Sequence, residues 1–125
     1  MKEFKKTFKR RFGVLTQVFK DDSLVIYNVD DGEVHWYEVF RYKVNDGTAF
    51  TNYEEFEQYP SPEDFGVWAW SCSNASVVAK VIDREFHDHW VRNKLQRYAC
   101  GTYKQNGETR PLFKITDEEL AELFV

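Results

Sequence analysis

The sequence predicts an α+β protein: an antiparallel sheet of four to five strands packed against one main helix, with a short C-terminal helix. Three observations carry this. Alternating, β-rich segments separated by Asp-Gly turns fill the N-terminal half. One long apolar stripe at helical spacing follows a cap signal at Ser73 or Asn74. A second strand pair and a capping box close the chain. Strands first, then a helix, then a small β-and-α tail is an α+β order, not an alternating α/β one.

At the start of the chain, Phe4, Phe8 and Phe12 recur at i, i+4, i+8. This spacing predicts a basic arm or helix over residues 1–12, with three rings along one side and Gly13 as its stop. A strand over Arg10 to Phe19 competes, because Val14, Thr16 and Val18 alternate with Leu15, Gln17 and Phe19. Leu24 to Val29 is β-rich, and Asp30-Asp31-Gly32-Glu33 supplies hairpin chemistry. Val34 to Val44 is the clearest strand. Its even face (Val34, Trp36, Glu38, Phe40, Tyr42, Val44) is the more apolar and is expected to face the core. Asn45-Asp46-Gly47 ends it. Asn52 to Glu57 has a short helical pattern, broken by Tyr59-Pro60-Ser61-Pro62. Phe65 to Cys72 is apolar on both faces and reads as a central strand with Trp68 and Trp70 in the core.

Val77, Val78, Val81, Ile82 and Phe86 form the helical stripe, continued by Trp90. Either one helix runs to about Tyr98, or two meet near His87, with Gly101 as the stop. Tyr103 to Ile115 reads as a hairpin turning at Asn106-Gly107, with Pro111 marking an edge strand. Such an edge could pair between subunits. Thr116 and Glu119 have capping-box spacing and open the last helix.

A chain of 125 residues is expected to form a single domain, 1–125. Its 42% apolar and 30% charged residues, with 11 Phe, 7 Tyr and 4 Trp, exclude a disordered composition. No apolar stretch follows the basic N-terminus and no apolar run is long enough to cross a bilayer, so the expected location is cytoplasmic with no membrane contact. In such a compartment Cys72 and Cys100 are expected as buried free thiols.

Charge is sorted along the chain. Residues 1–12 hold Lys2, Lys5, Lys6, Lys9, Arg10 and Arg11 against Glu3 alone. Val44 to Ala79 holds no Lys or Arg, but carries Asp46, Glu54, Glu55, Glu57, Glu63 and Asp64. Those six acids are the candidate surface for a basic protein partner, since acidic arrays can occupy nucleic-acid sites by imitating phosphates. Lys5, Lys6, Lys9, Arg10 and Arg11 are the candidate nucleic-acid contacts, with the phenylalanines as stacking groups. Alternatively the arm is a solvated basic helix face whose Phe side packs on the sheet.

Catalytic chemistry finds little support. His87-Asp88-His89 is the most metal-like cluster, but on a helix residues two apart diverge, and two ligands fall short of a structural zinc site. Surface or capping roles suit these histidines better. No nucleophile, metal or cofactor site is expected. A small metal-dependent hydrolase around His87 and His89 is the remaining enzymatic alternative.

Tyr37-Glu38-Val39-Phe40-Arg41, and Tyr59-Pro60-Ser61 followed by Asp64-Phe65-Gly66-Val67-Trp68-Ala69-Trp70, resemble small uncharacterised accessory proteins of Bacteroidetes phages and mobile elements. The resemblance spans roughly residues 34–86 and leaves out the basic arm and everything after His87. It imports no assigned function. It implies an accessory-gene setting, in which short acidic proteins act by binding host defence or nucleic-acid-processing proteins.

Overall fold

The computed structural model describes residues 1–48 and 54–125. The chain divides into two compact units, Met1–Ser71 and Cys72–Val125. The class is α+β, with a five-stranded sheet and three α-helices among the described residues.

In the first unit, β1 (Thr7–Arg10), β2 (Gly13–Lys20), β3 (Leu24–Asp30), β4 (His35–Arg41) and β7 (Ala69–Cys72, whose last residue begins the second unit) form the sheet in the order β1-β2-β3-β4-β7. The first three pairings are antiparallel. A second, two-stranded sheet pairs β5 (Val44–Asn45) with β6 (Phe56–Glu57). Of the basic arm or helix expected over residues 1–12, Thr7–Arg10 forms a strand, not a helix. Phe4 and Phe8 still reach the core, but from an extended chain, because a strand running antiparallel to β2 buries alternate residues just as a helix buries every fourth. The helical pattern over Asn52 to Glu57 lies partly outside the described residues, and its last two residues are β6.

The core gathers on one face of the sheet: Leu15 from β2, Val25, Tyr27 and Val29 from β3, and Phe40 from β4, with Trp68 and Ala69. The expected even face of β4 does point here. Yet Tyr37 and Val39 are buried as well, as are Leu24 and Ile26 of β3. Central position in the strand order, not alternation, sets the burial of β3 and β4. Conversely, the expected central strand over 65–72 is the edge strand β7, and Val34 and Val44 are exposed. The β3–β4 turn follows the expected chemistry: Asp30 accepts from Gly32 N–H, and Asp31 from Glu33 and Val34 N–H.

In the second unit, Asn74 caps α1 (Ala75–Glu85) by accepting from Val77 N–H at 3.0 Å. Helix α2 (Val91–Leu95) is separate, and a 3-10 turn follows it. Gly101 does not end a helix; it sits at an irregularity in β8 (Ala99–Gln105), which pairs with β9 (Glu108–Phe113). Asn106 (φ 51°) and Gly107 (φ 79°) make the two-residue turn expected of Asn-Gly. The Thr116–Glu119 capping box opens α3 (Asp117–Glu122).

A candidate polyanion-binding hairpin

The basic segment is tied into the first unit by its backbone and its rings. Tyr27 Oη donates to the Lys5 carbonyl at 2.7 Å, and Phe4 N–H donates to Glu57 Oε1 at 2.6 Å. Phe4 packs edge-on against Phe40 at 5.7 Å, and Phe8 against Tyr27 at 5.4 Å. Apolar burial thus fixes the phenylalanines while every cation of the segment stays in water. Lys5, Lys6, Lys9, Arg10 and Arg11 are all exposed. Among the described residues, Lys5, Lys6, Lys9 and Arg11 enter no ion pair. Arg10 lies with its guanidinium 4.5 Å from the Tyr59 ring centre, a cation–π geometry.

The turn of this hairpin sits beside the β3–β4 turn. Gly13 makes the approach possible: a Cβ there would lie 2.6 Å from the Asp30 carbonyl oxygen. Between the two turns runs an open groove of about 570 Å³, with Lys9, Arg10, Arg11 and Phe12 on one wall and Asp30 and Asp31 on the other. Phe12 is exposed and its ring stands 6.4 Å from Trp36. A second groove of about 500 Å³ carries Lys5, Lys9 and Arg10 together with Phe8, Phe56 and Tyr59. Both grooves have cations beside aromatic faces, the pairing that serves a phosphate backbone and its bases.

The six acids do not form one surface. Glu57 is buried, and its carboxylate is committed: Lys20 Nζ lies 2.8 Å from both oxygens, and Phe4 N–H and Tyr42 also donate to it. Burial pushes this carboxyl up, but those donors outweigh it and hold it below the ordinary glutamate value. Tyr42 is pushed up to about 12, first by its hydrogen bond to Glu57. Glu57 is therefore corrected from a docking residue to an interior one, because its carboxylate is taken up by Lys20, Tyr42 and the Phe4 N–H. Asp46 accepts from Thr48 and is held low by that backbone bond. Asp64 accepts from Ser61 in a capping arrangement and is held low in the same way. Glu54, Glu55 and Glu63 remain exposed. The two charged segments also meet, because Lys2 exchanges backbone hydrogen bonds with Glu55 and Glu57.

Three further residues matter that the sequence did not point to. Lys20 supplies the charge for Glu57. Glu38 is buried on β4, with its Oε2 unpartnered among the described residues. Asp83 is buried in the second unit, with Arg92 Nε at 3.0 Å and Arg110 Nη1 at 3.8 Å. Sequence spacing cannot pair residues this far apart.

The other candidate chemistry disperses. His89 Nδ1 accepts from Val91 N–H at 3.1 Å just ahead of α2, while His87 lies 3.6 Å from Asp88 on the surface. Among the described residues, no group of three or more His, Cys, Asp or Glu could hold a metal ion. Both cysteines are free, but Cys100 is exposed, not buried, because its strand belongs to an open two-stranded hairpin. Burial pushes the Cys72 thiol up to about 12, far from a reactive thiolate. No described helix is long and apolar enough to cross a membrane. Compared with known proteins, the chain matches no family model, no curated protein and no solved structure.

Proposed function

We propose that the protein is a non-enzymatic binding protein whose β1–β2 hairpin engages a phosphate-bearing polymer, single-stranded nucleic acid in particular. The observation that carries this reading is the exposure of Lys5, Lys6, Lys9, Arg10 and Arg11 on one anchored hairpin, beside the rings of Phe12 and Tyr59. Their backbone is already ordered by Phe4 and Phe8, so less conformational entropy opposes binding than for a free arm. The chain's net charge of −4 confines attraction to this region and disfavours a long nucleic-acid track.

Fluorescence anisotropy with a labelled single-stranded oligonucleotide tests it. Wild type is expected to bind at low salt and to weaken with a log–log slope of about −2 to −3, that is, about three to four phosphates at roughly −0.7 each. Replacing all five cations by Gln is expected to abolish binding while leaving the fold intact. Absence of wild-type binding at low salt would contradict the reading. Deleting residues 1–11 is a poor test, because it also removes Phe4 and Phe8 from the core.

A second reading keeps the protein-partner expectation. Glu54, Glu55 and Glu63 stay exposed and supply a reduced acidic surface for a basic host protein, in keeping with the accessory-protein resemblance. Charge reversal at those three positions is expected to abolish capture of such a partner; unchanged capture removes them from the account.

A further inference from the structure

The groove between the two turns has walls of opposite charge. Lys9, Arg10, Arg11 and Phe12 come from the β1–β2 hairpin, Asp30 and Asp31 from the β3–β4 turn. Strand register joins the walls: Lys9 lies opposite Val14, and Val14 opposite Asp30. The Gly13 backbone approaches the second turn so closely that a Cβ there would lie 2.6 Å from the Asp30 carbonyl oxygen and 3.3 Å from Asp31 Cα. The turn uses part of each carboxylate. Asp30 Oδ1 accepts from Gly32 N–H, and Asp31 Oδ1 from Glu33 and Val34 N–H. A carboxylate has about four acceptor positions, so both keep capacity for a ligand. Phe12 is exposed and offers a ring beside them.

Charge orients a strand seated here. Its phosphates are drawn to the cations and repelled by the acids, so a base edge is what can turn toward Asp30 and Asp31. The bases differ in what that edge offers a carboxylate. Guanine carries two adjacent donors, N1–H and the 2-amino group. Thymine and uracil hold one N–H between two carbonyl oxygens, which the acids repel. Adenine and cytosine set one amino group beside an acceptor nitrogen. Resting on the single-strand reading, we propose that this groove is a base-recognition site that selects guanine. Asp30 and Asp31 accept from N1–H and the 2-amino group, Phe12 stacks on the base, and Lys9, Arg10 and Arg11 follow the phosphates. In a duplex the same edge is already paired, so the site reads unpaired guanine.

The test is the same anisotropy measurement with an oligothymidine and with the same oligomer carrying guanine at one central position. Wild type is expected to bind the guanine oligomer roughly five- to ten-fold more tightly, the low end for a bidentate base contact because the groove is open to water. Hypoxanthine in place of guanine lacks the 2-amino group and is expected to lose part of that gain. Asp30→Asn combined with Asp31→Asn keeps a side-chain acceptor for the turn and removes both charges. It is expected to bind the two oligomers about equally, and oligothymidine at least as tightly as wild type does. Phe12→Ala is expected to weaken both oligomers. Equal wild-type affinity for the two oligomers, or a guanine preference that persists in the double variant, overturns the base site and leaves the hairpin reading standing. No wild-type binding to either oligomer overturns the hairpin reading and the base site with it.

Discussion

Glu57 and Glu38 occupy the same unit and are equally buried, each 7% exposed, yet their carboxyls move in opposite directions. Glu57 receives an ammonium, a backbone N–H and a phenol, which together overcome the cost of burial. Glu38 has Trp36 and the influence of Arg10, and burial wins. The charge of an interior acid is therefore set by burial weighed against the donors brought to it. The contrast separates two jobs. Glu57 fastens the N-terminal segment to the unit, whereas Glu38 stays poised to change its protonation near neutrality.

Breaking the well-partnered acid has the largest expected effect. Glu57→Ala leaves Lys20 partly buried without its anion and Phe4 N–H without its acceptor. A loss of about 3–5 kcal/mol is expected from urea unfolding at neutral pH. Because the folded carboxyl is lowered, its contribution is present above the ordinary value near 4.5 and is lost as pH falls through the folded one. The gap between wild type and variant is therefore expected to close in acid.

Asp83 extends the comparison to the second unit. Like Glu57 it is buried with cations at hand, drawn from α2 and β9. Asp83→Ala strands Arg92 and Arg110 and is expected to cost about 3 kcal/mol, read by the same unfolding measurement. A cost well under 1 kcal/mol would show that the two arginines are held by solvent.

Glu38→Gln is the smaller effect and has the opposite sign. A raised carboxyl means that the folded state binds more protons than the unfolded chain between about 4.5 and about 7, so wild-type stability falls as pH rises through that window. The variant removes this loss. It is expected to be more stable than wild type by roughly 1–2 kcal/mol at about pH 8, and no more stable at about pH 4. Equal stability at both would mean that water reaches Oε2.

Local signals in the sequence carried the turns and caps well. Asp30 to Glu33, Asn106-Gly107, Asn74 and the Thr116–Glu119 box all act through neighbours within four residues, where chain connectivity guarantees the encounter. Position in the strand order was not legible in the same way. Residues 65–72 are apolar on both faces but end at an edge, and β4 is buried on a face that its alternation assigned to solvent. The Phe4-Phe8 spacing suits a helix or a strand equally, and pairing with β2 decides for the strand. Of the candidate site, the five cations and their exposure were readable from charge alone. The fate of the acids was not, because Lys20 meets Glu57 across 37 residues. Glu38 was read as part of an apolar face, and nothing local marks its missing partner.

The most direct test of this contrast is an NMR titration of side-chain carboxyl carbons in the free wild-type protein, following Glu38 and Glu57 together. Glu38 is expected to titrate near 7 and Glu57 below the usual glutamate range. Two ordinary midpoints near 4.5 would contradict the account, because neither burial nor partners would then distinguish the two acids.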